Sequence, residues 1–249
     1  MSLNDWEHKP AVEVVGKTVE HVDEGLRQYM IKVFNYMGLG LCVTALFAYF
    51  AAKAGFISLM FNINPQMQTA SISGLGYLVI FAPLAMVLLS NHIMNKFGLR
   101  GAHILFWSFS AVMGLSLSTI GIAYTTQSIV RIFLITAAVF GSMSIYGYTT
   151  KRDLSAIGSI LYMGVWGLVI ASVVNIFMHS TPLMYAISYI AVVVFTGLTA
   201  YDIQNIKRLY YQAYDADTAG KLAISGALSL YLDFINIFIS LMNIMGDRR

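Results

Sequence analysis

The sequence predicts an all-α membrane protein with seven transmembrane helices, and three observations carry that expectation. Of 249 residues, 58% are hydrophobic and only 11% are charged, with a mean hydropathy of +0.70; a soluble domain carries about 25% charged residues. Apolar stretches of about 20 residues, the length that crosses a hydrocarbon core as a helix, recur seven times along the chain. The connections between them alternate between basic and nearly uncharged, as the positive-inside rule describes.

Taken in order, residues 1–30 read as a polar cytoplasmic tail, 31–246 as the seven-helix transmembrane domain and 247–249 as a short C-terminal tail. In the first tail, Val12, Val15, Val19, Val22, Leu26 and Met30 recur at three and four, with Lys17, Glu20, Asp23 and Arg27 on the opposite face. That pattern predicts an amphipathic helix on the membrane surface or an extension of the first span. The tail also holds Asp5, Glu7, Glu13 and Glu24, so it does not read as a signal peptide.

The spans fall at residues 33–54, 74–93, 102–124, 130–148, 156–178, 183–201 and 222–245. Pro83 is expected to kink the second. Ser110, Gly114 and Ser118 put a stripe of small residues on the third, which lets helices approach closely; Gly164, Gly167 and Ala171 offer a less regular stripe on the fifth. The fourteen methionines read as adaptable packing. The longest connections are 62–73, with Pro65, and 207–221, with Asp215 and Asp217.

Lys96 and Arg100, Lys151 and Arg152, and Lys207, Arg208 and Lys221 mark three basic connections. They share a side with the N-terminal tail, which places the N-terminus in the cytoplasm. Seven crossings then leave Arg248 and Arg249 outside, against the rule. The last span either crosses nonetheless, which is the expectation, or dips in and returns.

Several classes are excluded. The single cysteine, Cys42, permits neither an internal disulfide nor a cysteine-rich metal site. A net charge of +3, with the basic residues grouped by connection, does not suggest nucleic acid. His92, His103 and His179 have no zinc spacing. No Ser-His-Asp arrangement, phosphate loop or haem motif is present, so neither an enzyme nor a tightly bound cofactor is expected.

What remains is a pair of acids at membrane depth. A carboxylate at the centre of a bilayer costs about 2.5–3.5 kcal/mol on insertion scales, and such groups are functional by default. Asp202 lies roughly 9 Å in from the cytoplasmic end of the sixth span and Asp233 roughly 16 Å in from the same face on the seventh. Two antiparallel helices joined by a short connection bring those depths together. Two carboxylates a few ångströms apart in a low-dielectric site cannot both ionise cheaply, so they share a proton. Protonated, the pair clasps two helices; ionised, it repels or recruits a cation. Ca²⁺ seeks several oxygen ligands, and Asn236, at i+3 from Asp233, could add one to Asp202 and Asp233.

Tyr201-Asp202-Ile203-Gln204-Asn205-Ile206-Lys207 and Ala227-Leu228-Ser229-Leu230-Tyr231-Leu232-Asp233-Phe234-Ile235-Asn236 resemble the paired aspartate motifs of the Bax inhibitor-1 family, also called the transmembrane Bax-inhibitor-motif family. Tyr146-Gly147-Tyr148-Thr149-Thr150-Lys151-Arg152-Asp153-Leu154-Ser155 is similar to its bacterial branch, and Met113-Gly114-Leu115-Ser116-Leu117-Ser118 fits too. The resemblance covers residues 28–246. It implies six helices packed around a central seventh, residence in a bacterial inner membrane, and a pH-sensitive calcium leak with Asp202 and Asp233 as sensor. It also implies a basic counter-charge near the cytoplasmic end of the second helix, for which Lys96 is the nearest match; lysine lacks the bidentate fork of arginine. The partners so implied are lipid, calcium ions, protons and other membrane proteins.

Other readings compete. Intramembrane aspartyl proteases also place two aspartates on adjacent helices, the first in a Tyr-Asp pair. Their second motif is Gly-x-Gly-Asp, where this chain has the bulky Leu230-Tyr231-Leu232-Asp233. A proton-coupled transporter is a second alternative, although no clear inverted repeat or pair of broken helices is visible. A regulator that binds membrane proteins without transport is the third.

Overall fold

The structure, a computed structural model, describes residues 11–64, 69–213 and 215–249. Eight helices and one small hairpin follow in order: α1 (Ala11–Lys53), α2 (Phe56–Met60), β1 (Phe61–Asn64), β2 (Thr69–Ile72), α3 (Gly74–Leu117), α4 (Ile120–Ala123), α5 (Thr126–Thr149), α6 (Ser155–Met178), α7 (Thr181–Gln212) and α8 (Ala216–Met245). Among the described residues, six stretches are long and apolar enough to cross a membrane: Glu24–Lys53, His92–Ala123, Thr126–Thr149, Ser155–Met178, Thr181–Gln212 and Ala216–Met245. Gly74–Ser90 is a shorter apolar helix beside them.

The predicted tail helix and first span are one continuous helix, α1. The amphipathic face expected at Val12, Val15, Val19 and Val22 rests on side chains outside those described. The connection predicted over 62–73 is an antiparallel hairpin with Phe61 opposite Ile72 and Asn64 opposite Thr69; Pro65 lies outside the described residues.

The second and third predicted spans are joined inside α3, which folds back on itself. The Ser116 hydroxyl donates to the Val79 carbonyl at 3.2 Å, although in a straight helix those residues would stand roughly 55 Å apart. The fold-back falls at Gly98, whose φ of 62° and ψ of −146° are the non-helical dihedrals inside α3. An L side chain rarely adopts that conformation, and glycine does so without steric cost. Pro83, where a kink was expected, keeps a helical backbone.

Polar side chains fix where the later helices start. Thr125, Ser180 and Asp215 each accept a hydrogen bond from the backbone N–H three residues on, capping α5, α7 and α8. The α7–α8 connection is therefore only residues 213–215, shorter than the 207–221 stretch read from polarity. Both helices continue past their apolar segments.

The basic connections gather at one end of the bundle. Lys207 Nζ reaches the Tyr148 carbonyl, Leu99 abuts Gly220, and the Tyr210 hydroxyl lies against Gly25. At the other end the residues after α8 lie along the start of α5. Asp247 pairs with Arg131 at 2.9 Å, Thr125 N–H donates to the Asp247 carbonyl at 3.0 Å, and Tyr124 bridges Arg248. α8 runs unbroken between these two ends.

α8 packs on α7, α1, α3 and α5, while α6 packs chiefly on α7. Ala223, Ala227, Leu230, Tyr231 and Ile237 of α8 are fully buried. The stripe predicted on the third span faces α1: a Cβ on Gly114 would come within 2.5 Å of the Thr44 carbonyl, and the Thr44 hydroxyl reaches the Ser110 carbonyl at 2.9 Å. The same hydroxyl stands 2.7 Å from that of Tyr231, so α1, α3 and α8 meet at one buried polar node.

Candidate functional site

Asp202 and Asp233 are both buried, at 5% and 4% exposure, on the adjacent helices α7 and α8. Burial of this depth is the observation that matters, because an acid inside a membrane bundle keeps its place only with compensating partners or a function.

Asp202 is set by its own turn of α7 and by the helices pressed against it. Thr199, Ala200, Asp202, Ile203 and Ile206 form a buried face. Gly147 of α5 lets the backbone at Ala200 approach, since a Cβ there would come within 2.4 Å of the Ala200 carbonyl oxygen. Gly158 of α6 leaves room for the Tyr201 ring in the same way. One turn along α6, Tyr162 packs edge-on against Tyr201, with ring centroids 5.8 Å apart, and its hydroxyl donates to Asp202 Oδ1 at 3.2 Å.

Asp233 is placed by α8, between the buried Leu230, Phe234 and Ile237. Gly226, two turns earlier, receives the Ile206 side chain and so brings α7 and α8 together. The two carboxylates therefore lie on helices packed against each other. Asp233 Oδ2 is buried without a hydrogen-bond partner among the described residues. Most buried polar groups are paired, so an orphaned carboxylate oxygen is an exception that asks for an explanation.

The other predicted residues sit differently. Asn236 is half-buried, and its amide donates back to the Leu232 carbonyl at 2.9 Å within α8. Lys96 is exposed, with its ammonium over the Phe97 ring at 5.4 Å from the centroid. No ion pair joins it to either aspartate among the described residues. No group of three or more His, Cys, Asp or Glu side chains able to hold a metal is found among the described residues. Protein oxygens for a cation would thus come from the two carboxylates and from hydroxyls and carbonyls around them.

Sequence reasoning missed Tyr162. The available signal was a tyrosine inside an apolar span, whose hydroxyl needs a partner when buried. It also missed that two motif segments touch. Gln204 donates to the Arg152 carbonyl at 2.8 Å and accepts from Leu154 N–H at 2.8 Å. Lys207 lies over the Tyr148 ring, and Arg208 donates to Ser155 at 3.1 Å. The turn of α7 that follows Asp202 therefore clamps the α5–α6 connection.

Residues 26–249 match the family described as inhibitor of apoptosis-promoting Bax1. The chain is 45% identical over 228 residues to the inner membrane protein YbhL of Escherichia coli K12, covering 90% of this chain and 94% of that one. It is 44% identical over 227 residues to an uncharacterized protein of Rickettsia prowazekii, covering 91% and 92%. An uncharacterized membrane protein of Streptococcus pyogenes serotype M1 is 37% identical over 227 residues, covering 90% and 94%. With a family match over nearly its whole length and relatives of this identity among bacterial membrane proteins, the chain belongs to the Bax inhibitor-1 family, on its bacterial branch.

Proposed function

We propose that this protein is a pH-sensitive cation leak of the bacterial inner membrane, with Ca²⁺ as the permeant ion and the Asp202–Asp233 pair as gate. The observation that carries the reading is the burial of both carboxylates on adjacent helices, one with an unpartnered oxygen. When the pair holds a proton, a carboxyl–carboxylate hydrogen bond clasps α7 to α8. When it loses that proton, two like charges face each other in a low-dielectric site. The helices then separate or a divalent cation enters between them. Tyr162 stabilises the ionised form of Asp202 by donating to it.

The reading includes seven crossings with α8 at the centre and the N-terminus in the cytoplasm. It is supported by the fold-back of α3, which divides it into 74–97 and 99–117, and by α8 being the most buried of the candidate spans. The grouping of Arg152, Lys207, Arg208 and Lys221 at the end where α1 begins supports the orientation.

The test is Ca²⁺ flux into liposomes holding the purified protein, from about pH 5 to 8, beside Asp202→Asn and Asp233→Asn. A leak that is low in acid and rises as pH rises is expected. Either substitution should flatten that dependence, because an amide cannot titrate. A protein without flux at any pH would sink the proposal and favour a regulator that acts by binding other membrane proteins.

A further inference from the structure

We infer that the end of the bundle opposite the basic connections holds a binding site for one anionic membrane phospholipid, its acyl chain in a cavity beside α1 and its headgroup on Lys53 and Arg249. The cavity has a volume of about 590 Å³ and lies between α1, the end of α3, α4, α5 and α8. That is within the roughly 300–1,000 Å³ typical of small-molecule pockets. Its shape is elongated: along α1 it extends from Leu41 through Ala45, Ala48 and Ala52 to Lys53, about 18 Å of helix. This matches one leaflet of a hydrocarbon core about 30 Å thick. The alanines leave the groove open, and Phe133, Phe234 and Phe238 wall its far side.

The cavity's charged residues decide the occupant. Lys53 and Arg249 are the charged side chains lining it, and both are cationic. Lys53 sits 4.7 Å from the centroid of the Tyr49 ring. Arg249 is held in place by its backbone N–H donating to the Ala123 carbonyl at 3.0 Å and by its guanidinium donating to Thr126 at 3.3 Å. Asp247, on the same tail, is engaged by Arg131 at 2.9 Å and leaves the charge at Lys53 and Arg249 intact. Two cations attract a phosphate. An apolar slot one leaflet deep with two cations at one end suits a single amphiphile with an anionic head. The inference stands apart from the leak reading, since it uses neither aspartate nor Tyr162.

The test is native mass spectrometry of the detergent-purified full chain after incubation with phosphatidylglycerol or with phosphatidylcholine of the same acyl chains. One retained phosphatidylglycerol per chain is expected, with phosphatidylcholine held roughly thirtyfold more weakly, given about 1 kcal/mol for each of the two cations near an anionic headgroup. The double variant Lys53→Gln with Arg249→Gln changes two exposed side chains, so folding should survive, and it should erase the preference. Ala48→Phe should expel both lipids at unchanged melting temperature. Equal retention of the two lipids, a preference that survives the double variant, or complete displacement by a free fatty acid would each overturn the proposal.

Discussion

α8 and α6 are both long apolar helices able to cross a membrane, yet 67% of the apolar window of α8 is buried in the protein against 6% of that of α6. α6 is the more apolar of the two, so hydropathy runs opposite to burial. In lipid, an apolar side chain gains little by leaving the bilayer for the protein interior, since both are apolar. What distinguishes the buried helix is what lipid cannot satisfy: Tyr231 bonded to Thr44, and the carboxylate of Asp233. α6 meets the interior along one face, where Gly158, Leu161, Gly164 and Leu168 pack on α7 and the Tyr162 hydroxyl reaches Asp202. Elsewhere it presents Ile160, Met163, Trp166 and Phe177 outward.

The sharpest way to break this contrast is to remove one aromatic from each helix. Tyr231→Ala should cost about 3–5 kcal/mol, the range for emptying a buried aromatic site, while Trp166→Ala should stay within about 0.5 kcal/mol. Reversible unfolding in mixed micelles measures both, and comparable losses would mean α6 is held by protein contacts outside this chain.

A smaller effect tests the glycines. Gly147→Ala places a methyl against the Ala200 carbonyl and should cost about 1–3 kcal/mol through forced separation of α5 and α7. Gly167→Ala on α6 meets nothing within 4 Å and should be neutral or slightly stabilising. Because Ala200 is two residues from Asp202, Gly147→Ala should also shift the pH dependence of any leak, which Gly167→Ala should leave alone.

Next comes Thr44→Val, which leaves the Tyr231 hydroxyl without its 2.7 Å partner. A loss of about 1 kcal/mol is expected. It should vanish in the Thr44→Val, Tyr231→Phe double variant, since removing both partners leaves nothing unpaired; a persisting loss would point to packing instead.

The smallest effect lies at the exposed start of α8. Hydrogen bonds from Thr218, its side chain first and its backbone N–H second, hold the Asp215 carboxyl below the ordinary carboxylate range. A folded value below the unfolded one means its contribution is present above the unfolded pKa, about 3.9. That contribution is lost as pH falls through the folded value. Asp215→Ser keeps a cap that does not titrate, so its melting temperature relative to the parent should rise slightly between about pH 6 and pH 3. A flat difference would show that the cap does not titrate with folding.

Much of this was legible because it is local. Apolar length located the helices, and the basic residues at 151–152 and 207–208 named the connections that share an end. The depths of Asp202 and Asp233 along their helices predicted neighbouring positions, and both are buried on α7 and α8. Polarity overestimated the α7–α8 connection because polar residues such as Lys207 and Lys221 also belong to helix turns beyond the apolar segment. Pro83 drew attention as a kink within the second span, while the turn after that span is made at Gly98, since a positive φ leaves no periodic trace in a sequence.

By itself the sequence determined that this chain lives in a membrane as a bundle of helices, and that two acids lie deep in the last two of them. Periodicity, capping residues and the cost of burying charge act over a few residues and are readable one segment at a time. Only the tertiary structure decided how much of α8 and how little of α6 the protein buries, that Tyr162 donates to Asp202, and that Gln204 and Lys207 clamp the α5–α6 connection. These are pairings between residues tens of positions apart. Hydropathy carries no information about them, because lipid and protein offer an apolar side chain nearly the same surroundings.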